Sequence, residues 1–412
     1  MTLVTGRPEA RNPVLAVCGG GNAGHLLAVI TSQTFPGDIV WLTSSNDSAE
    51  RLREGVFSPD GLRSTGAFSG RADKVRLISS DPAEVIPHAG TVLIAVPSFG
   101  HGRILDRISP FLNESALVGV LPSRSGFEFP ATHTISGIRP RGDRRVFGLQ
   151  TLPWSARIQQ RGKIVHVLGI KKRVLMATLP HREAEGLVPW LSHLLGIEIV
   201  PTSNFLNLTL GNPGQVIHPG LMYGLFAEWN GAPYREDNIP RFYADATDKT
   251  GMFVEGLSRE ITAVARRIQE SSAGKLELTG VLSIHDWLRL SYPTQIGDAS
   301  TVATSFRTLA PLQARKPPMR EAAPGEYVPD FNYRYISEDV PFGLVVVKAI
   351  ATLSDVDTPS IDAVIAWAQE KLGKHYLVNG TVSGSDAHEL RIPQNYGIGT
   401  MTNLIEWYLG WS

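Results

Sequence analysis

The stretch Pro13 to Ile30, PVLAVCGGGNAGHLLAVI, decides how this chain is read. It is an apolar run broken by Gly19, Gly20, Gly21 and Gly24. Val14 to Cys18 has the length and character of a buried strand, the glycines form a turn, and Ala23 to Ile30 form the helix leaving it. The spacing Gly19-x-Gly21-x-x-Gly24 is the fingerprint of a dinucleotide site. The first glycine permits the tight turn, the second lets backbone approach a pyrophosphate, and the third lets helix and strand pack closely. The helix start at Asn22 and Ala23 then offers unpaired N–H groups and a positive dipole end to the phosphates. An ordinary glycine-rich turn is the competing reading; a strand before it and a helix after it favour the nucleotide.

Outward from that turn, composition bounds the rest. The 412 residues are enough for two or three domains with real cores. With 39 basic and 39 acidic side chains there is no overall field for nucleic acid or an anionic membrane, so a small-molecule ligand is expected. No apolar run reaches the ~18 residues of a membrane span. Residues 1–12 read as a loose tail rather than a signal peptide, which predicts a cytoplasmic protein. Cys18 is the single cysteine, excluding an internal disulfide. The 11 histidines show no ligand spacing, and no metal site is expected.

Asp38 to Thr43 predicts a second strand. Its end is where many NAD sites carry an acid for the ribose hydroxyls, yet this chain has Thr43, Ser44 and Ser45 there. Arg51 and Arg53 on the next helix suit either a 2′-phosphate or plain solvent. Further strands are expected at Lys74 to Ser80, Thr91 to Val96, Ala116 to Leu121, Arg145 to Gln150, Lys163 to Leu168 and Val174 to Leu179, with a short helix from Asp81 to Pro87. Val96 and Pro97 end an apolar strand where the chain must turn beside a bound cofactor. The alternation predicts an α/β fold with a doubly wound, mostly parallel sheet.

Near Ile197 to Pro201 the pattern changes to long helical periods. Leu257, Ile261, Val264, Ala265 and Ile268 share one face, and Ile361 to Leu372 forms another helix with Gly373 at its C′ position. Pro311 to Pro329 is expected to be an irregular loop. His218 precedes Pro219, which argues for a junction rather than a helix there. Alone, such a histidine is as well explained by structure as by catalysis. Pro329 to Pro341, PDFNYRYISEDVP, reads as a loop concentrating Tyr333, Arg334, Tyr335, Glu338 and Asp339. Arg334 there is suited either to gripping a carboxylate or to ion pairing within the loop.

Eight segments, VCGGGNAGH, VPSFGHG, LPSRSGFEF, QTLPWSARI, VIHPG, PDFNYRYISEDVPFG, AWAQEKLGKHYLVNG and RIPQNYG, occur in this order. From about Val14 to about Ile398 the chain resembles the opine dehydrogenases, in the branch similar to octopine dehydrogenase. The resemblance implies an N-terminal Rossmann domain over residues 1–200 and a mainly α-helical C-terminal domain over 201–412. It implies NAD(P)H-dependent condensation of an amino acid with a 2-oxo acid such as pyruvate, and reduction of the imine to a secondary amine. NAD(H) is expected ahead of NADP(H), held by Gly19, Gly21, Asn22, Ala23, Gly24, Thr43, Val96 and Pro97. His218 becomes the acid/base, Asp339 its partner raising the ring's pKa, and Arg334 the oxo-acid clamp.

Two departures from the octopine pattern bear on the donor. Gln150 stands where arginine-using members carry an acid, favouring a neutral donor such as alanine, glycine, β-alanine or taurine. Arg124 stands where the octopine branch has glutamine near the oxo-acid site; it is either an added attraction for an anion or a charge on the cleft rim. Trp287 is expected to wall the donor site or to serve the core. A monomer or homodimer is expected. The alternatives are a ketoacid reductase or glycerol-3-phosphate dehydrogenase-like enzyme, and a non-catalytic dinucleotide sensor; the absence of lysine from the His218 and Asp339 segments argues against the lysine-dependent reductases.

Overall fold

The computed structural model describes residues 13–136 and 145–411; the expected tail, residues 1–12, lies outside them. The strands are β1 (Val14–Cys18), β2 (Asp38–Leu42), β3 (Arg63–Gly66), β4 (Gly70–Arg71), β5 (Val75–Ser79), β6 (Thr91–Ile94), β7 (Leu117–Val120), β8 (Val146–Leu149), β9 (Trp154–Gln160), β10 (Ile164–Ile170), β11 (Arg173–Leu179) and β12 (Glu198–Pro201). Among the described residues, eight of them form one sheet in the order β12-β11-β8-β7-β6-β1-β2-β5. Every pairing in it is parallel except β8 with β11. The order reverses at β1, so the connections leaving the carboxyl ends of the paired strands β1 and β6 run to opposite sides, and the crevice between such connections is where doubly wound sheets bind ligands. Their near-continuous apolar character is what burial on both faces requires.

Alternation along β1 divides the core. Leu15 and Val17 join a cluster with Leu26, Leu27 and Trp41, while Ala16 and Cys18 join one that continues into the helical half through Val346 and Ile350. Burial pushes the Cys18 thiol up to about 12, so it serves as a small apolar side chain.

Helices α1 (Asn22–Thr34), α2 (Asn46–Val56), α3 (Pro82–Val85), α4 (His101–Ile108), α5 (Glu128–Ser136) and α6 (Ala184–Leu195) flank the sheet. The second half is α7 (Leu206–Leu210), α8 (Gly214–Phe226), α9 (Asp248–Ser271), α10 (Ile284–Ser291), α11 (Val302–Thr308), α12 (Arg334–Ser337), α13 (Val345–Ser354), α14 (Pro359–Leu372) and α15 (Met401–Leu409). Glycines let α8 lie directly on α9: a Cβ on Gly220 would stand 2.8 Å from Val254. No helix among the described residues is long and apolar enough to cross a membrane.

Four expectations change. The strand at Lys163 to Leu168 does not extend the main sheet; as β10 it joins a second sheet, β4-β3-β10-β9, packed against α1. Pro311 to Pro329 is not wholly irregular, because Met319–Ala323 and Glu326–Pro329 pair as an antiparallel hairpin. His218 is not at a junction but inside α8, with Pro219 in the helix interior. Burial of Gln215, Val216, Ile217, Leu221 and Met222 around that turn outweighs the ~3 kcal/mol a helical proline costs. Pro329 to Pro341 is not a plain loop: α12 runs into a wide π-type turn at Val340–Leu344, leaving Glu338 and Asp339 at the join.

The glycine turn is fixed by contact. Gly19 has φ +129°, and a Cβ there would strike the Ala95 carbonyl oxygen; one on Gly24 would strike the Gly19 carbonyl oxygen. Trp41 Nε1 donates to that same Gly19 oxygen at 2.9 Å. Gly24→Ala is therefore expected to cost about 1–3 kcal/mol of folding stability through forced separation of β1 and α1. Urea unfolding checks it, and an unchanged midpoint would show that the contact yields freely.

Candidate active site

The crevice begins at the glycine turn. Gly21 caps α1 with nothing within 4 Å of where a Cβ would stand, while Gly19 and Gly24 admit no side chain. Helix geometry leaves the first N–H groups of α1, at Asn22 and Ala23, without intrahelical acceptors. An open glycine, two closed ones and a helix start fit a pyrophosphate. Val96 packs against Gly19, Pro97 begins the next turn, and Thr43 is buried at the end of β2 with its Oγ1 on the Ser45 carbonyl at 3.1 Å. Asn22 has a further task, since its Oδ1 accepts from Ile158 N at 2.9 Å and ties the β9–β10 hairpin to the turn.

His218 and Asp339, 121 residues apart in sequence, meet below this crevice. His218 Nδ1 lies 2.7 Å from Asp339 Oδ2, and the carboxylate is fully buried while the ring keeps 21% of its side-chain surface. An ionised aspartate assigns the proton to Nδ1, leaving Nε2 as the basic atom. Tyr335 stacks on the imidazole, with ring centres 3.8 Å apart and planes at 12°, and Phe242 stacks on Tyr335 in turn. The ring thus has a fixed plane as well as a fixed tautomer.

Arg124 completes the cluster and is not a rim charge. It is buried, holds φ +56°, and places Nη1 2.5 Å from Asp339 Oδ1 as an ion pair outside hydrogen-bond alignment. A left-handed backbone costs a non-glycine residue roughly 1–2 kcal/mol, so the surroundings must hold it there. Glu338, buried next to Asp339, gathers the neighbouring elements: it accepts from Ser98 N at 2.9 Å and Ser98 Oγ at 2.6 Å, and it pairs with Arg334 Nε at 3.2 Å. Arg334 is about half exposed, with its terminal nitrogens beyond that pair. The sequence placed Glu338 in the right segment without a role, and Ser98 carried no signal beyond its strand end.

Gln150 and Trp287 flank the backbone that leads into α8. Gln150 Nε2 donates to the Gly211 carbonyl at 2.6 Å, and Trp287 borders a small cleft with Gly211, Asn212 and Pro213. A Cβ on Gly214 would stand 2.8 Å from Arg124 Nη1 and 3.6 Å from His218 Nδ1, so bare backbone lies beside the charged cluster.

The Asp339 carboxylate acts upward on the ring's pKa as expected, but it does not decide the balance. Burial lowers the His218 imidazole most; the Asp339 hydrogen bond and charge oppose it, Arg124 and Arg334 reinforce it, and the balance lies below the ordinary histidine value. For Asp339 burial acts upward, but Arg124, His218 and Arg334 together hold the carboxyl below its usual range. In the ligand-free site the pair is a neutral base beside a carboxylate. An NMR titration of the His218 ring is expected to give a midpoint below about 6.5. Asp339→Asn should lower it further by removing the favourable charge, and Arg124→Gln should raise it by removing the unfavourable one. Shifts of the opposite signs would show that these groups do not govern the ring.

Comparison with known proteins agrees with this arrangement. The model of the NAD/NADP octopine/nopaline dehydrogenase α-helical domain matches residues 201–372. An opine dehydrogenase of Haliotis discus hannai is 31% identical, covering 94% of this chain and 97% of its own. A tauropine dehydrogenase of Arabella iricolor is 30% identical, covering 95% and 100%. The solved structure of an octopine dehydrogenase with NADH and agmatine superposes with a TM-score of 0.85 at 29% identity, covering 95% of this chain and 98% of that one. A Rossmann-type sheet joined to a helical second half, and relatives matched along nearly their whole length, make this chain a member of the opine dehydrogenase family, an NAD(P)-dependent oxidoreductase acting on CH–NH donors.

Proposed function

We propose that this enzyme condenses a neutral amino acid with a 2-oxo acid, pyruvate foremost, and reduces the imine to a secondary amine dicarboxylate. The observation carrying this is the buried His218–Asp339 pair with two arginines around it. Arg334 holds the oxo-acid carboxylate through its terminal nitrogens while Glu338 fixes Nε, so the carbonyl carbon is presented in one orientation. His218 Nε2 takes a proton from the donor's ammonium, and the freed amine attacks that carbon. The imidazolium, stabilised by Asp339, returns the proton to the departing hydroxyl, and water leaves as the protonated imine forms. A reduced nicotinamide bound along the glycine turn supplies the hydride.

Donor preference follows from charge. The Gln150 amide is spent on Gly211, and the nearby carboxylates Glu338 and Asp339 are buried and already paired with Arg334, Arg124 and His218, so these residues offer no free carboxylate to a guanidinium donor. The same reading sets the domain boundary between residues 200 and 201, and the enzyme works in the cytoplasm as a monomer or homodimer.

Reduced-cofactor oxidation measured over a matrix of amino acids and oxo acids is expected to require both partners, with small neutral donors exceeding arginine. Oxidation by pyruvate alone, indifferent to amino acids, would sink the reading in favour of a ketoacid reductase. Arg334→Ala should raise the oxo-acid KM by roughly 10- to 100-fold, the scale of a lost charge-assisted pair. Unchanged pyruvate kinetics would remove Arg334 from the site.

A further inference from the structure

The end of β2 lacks the carboxylate that hydrogen-bonds the ribose 2′-hydroxyl in NAD sites. Thr43, Ser44, Ser45 and Asn46 occupy that stretch, and the nearest acid, Asp47, is paired with Arg51. Arg53 lies in the last turn of α2, away from its start. What does reach the start of α2 is Arg161, from the tip of the β9–β10 hairpin. Its Nη2 donates to Ser48 Oγ at 2.9 Å, and Ser48 stands in the first turn of α2 behind its cap Ser45. A Cβ on Gly20 would lie 3.3 Å from Ser48 Oγ and 3.4 Å from Arg161 Nη2, so both groups rest against the glycine turn itself.

The hairpin tip is held there by the turn it covers. Asn22 Oδ1 accepts from Ile158 N, His25 Nε2 accepts from Gly162 N at 3.0 Å, and His25 Nδ1 bonds the Gly21 carbonyl at 2.9 Å. Burial lowers the His25 ring to about 4, which keeps Nε2 an acceptor. Arg161 thus donates to a neutral hydroxyl, beside a helix start and a strand end bearing only hydroxyls and an amide.

We propose that Arg161, with Ser48 and the first-turn N–H groups of α2, forms a 2′-phosphate subsite, so that this enzyme takes NADPH in preference to NADH. The inference rests on the dinucleotide reading of the glycine turn. It reverses the expectation of NAD(H) first, and it sets this chain apart from the octopine dehydrogenase whose structure holds NADH. A guanidinium fork and a helix N-terminus are complementary to a phosphate dianion and gain little from a hydroxyl.

The test is calorimetric titration of the unliganded protein with 2′,5′-ADP and with ADP, beside NADPH and NADH binding followed by fluorescence. The 2′-phosphorylated member of each pair is expected to bind at least ~10-fold more tightly. Arg161→Ala should remove that preference while leaving ADP affinity and the melting temperature near the unsubstituted values; Arg161→Lys should keep part of it. Arg51→Ala should keep all of it. Equal binding of the two nucleotides, or a preference that survives Arg161→Ala, overturns the proposal but leaves the dinucleotide site standing. Failure to bind either nucleotide removes the site and the proposal together.

Discussion

The structure depends on two adjacent buried carboxylates, Glu338 and Asp339, at the point where the helical half meets the sheet. Between them they engage Ser98 and Arg124 from sheet strand ends, His218 from α8 and Arg334 from α12. Burying ions costs several kcal/mol each, and pairing returns energy only where geometry is good. Such a cluster is therefore poor at adding stability and good at setting position. A polar join in the midst of Val340, Leu344 and Val345 allows few arrangements that keep its charges paired, whereas apolar contacts alone would tolerate small slides. That constraint keeps His218 on one half in register with the strand ends beside the glycine turn on the other.

The nucleotide end is built by a comparable device with neutral groups. Asn22 and His25, both in the first turns of α1, bind the backbone of a hairpin that belongs to a different sheet. Gly55 and Gly162 touch without side chains, letting that hairpin close over α2. The wall beside the glycine turn thus comes from residues some 140 positions beyond it, brought there by pairing of β10 with β3.

How legible this was in the sequence follows from the range of each interaction. Strand and helix periods are local, and the glycine turn, β1, β2, β6 and the α9 face lie where their patterns put them. The His218–Asp339 pair was legible only through family resemblance, because nothing local to VIHPG or EDVP says that they meet across 121 residues. Local rules failed where packing overrode them: Pro219 reads as a helix break, yet α8 is buried around it. The hairpin at 319–329 was hidden because its prolines and exposed residues blur alternation, and Arg161 because its neighbours lie on α2. Arg124 read equally as a rim charge, since a left-handed backbone and a buried partner leave no mark in PSRSG.

The charges around His218 bear directly on the acid/base role proposed for it. In the ligand-free site burial and two arginines outweigh Asp339, and the ring is neutral, ready to accept a proton. A carboxylate seated on Arg334 cancels one of the cations that lower the ring, and an anion near Arg124 cancels the other. Both changes act in the same direction, easing the ring's pKa upward from its depressed value. In the reaction proposed above, substrate binding would thus convert the base that deprotonates the donor into an imidazolium able to protonate the leaving hydroxyl. On the proposed reaction the same side chain serves both steps because its environment includes the substrates, above a buried carboxylate that the unliganded site holds below its usual range.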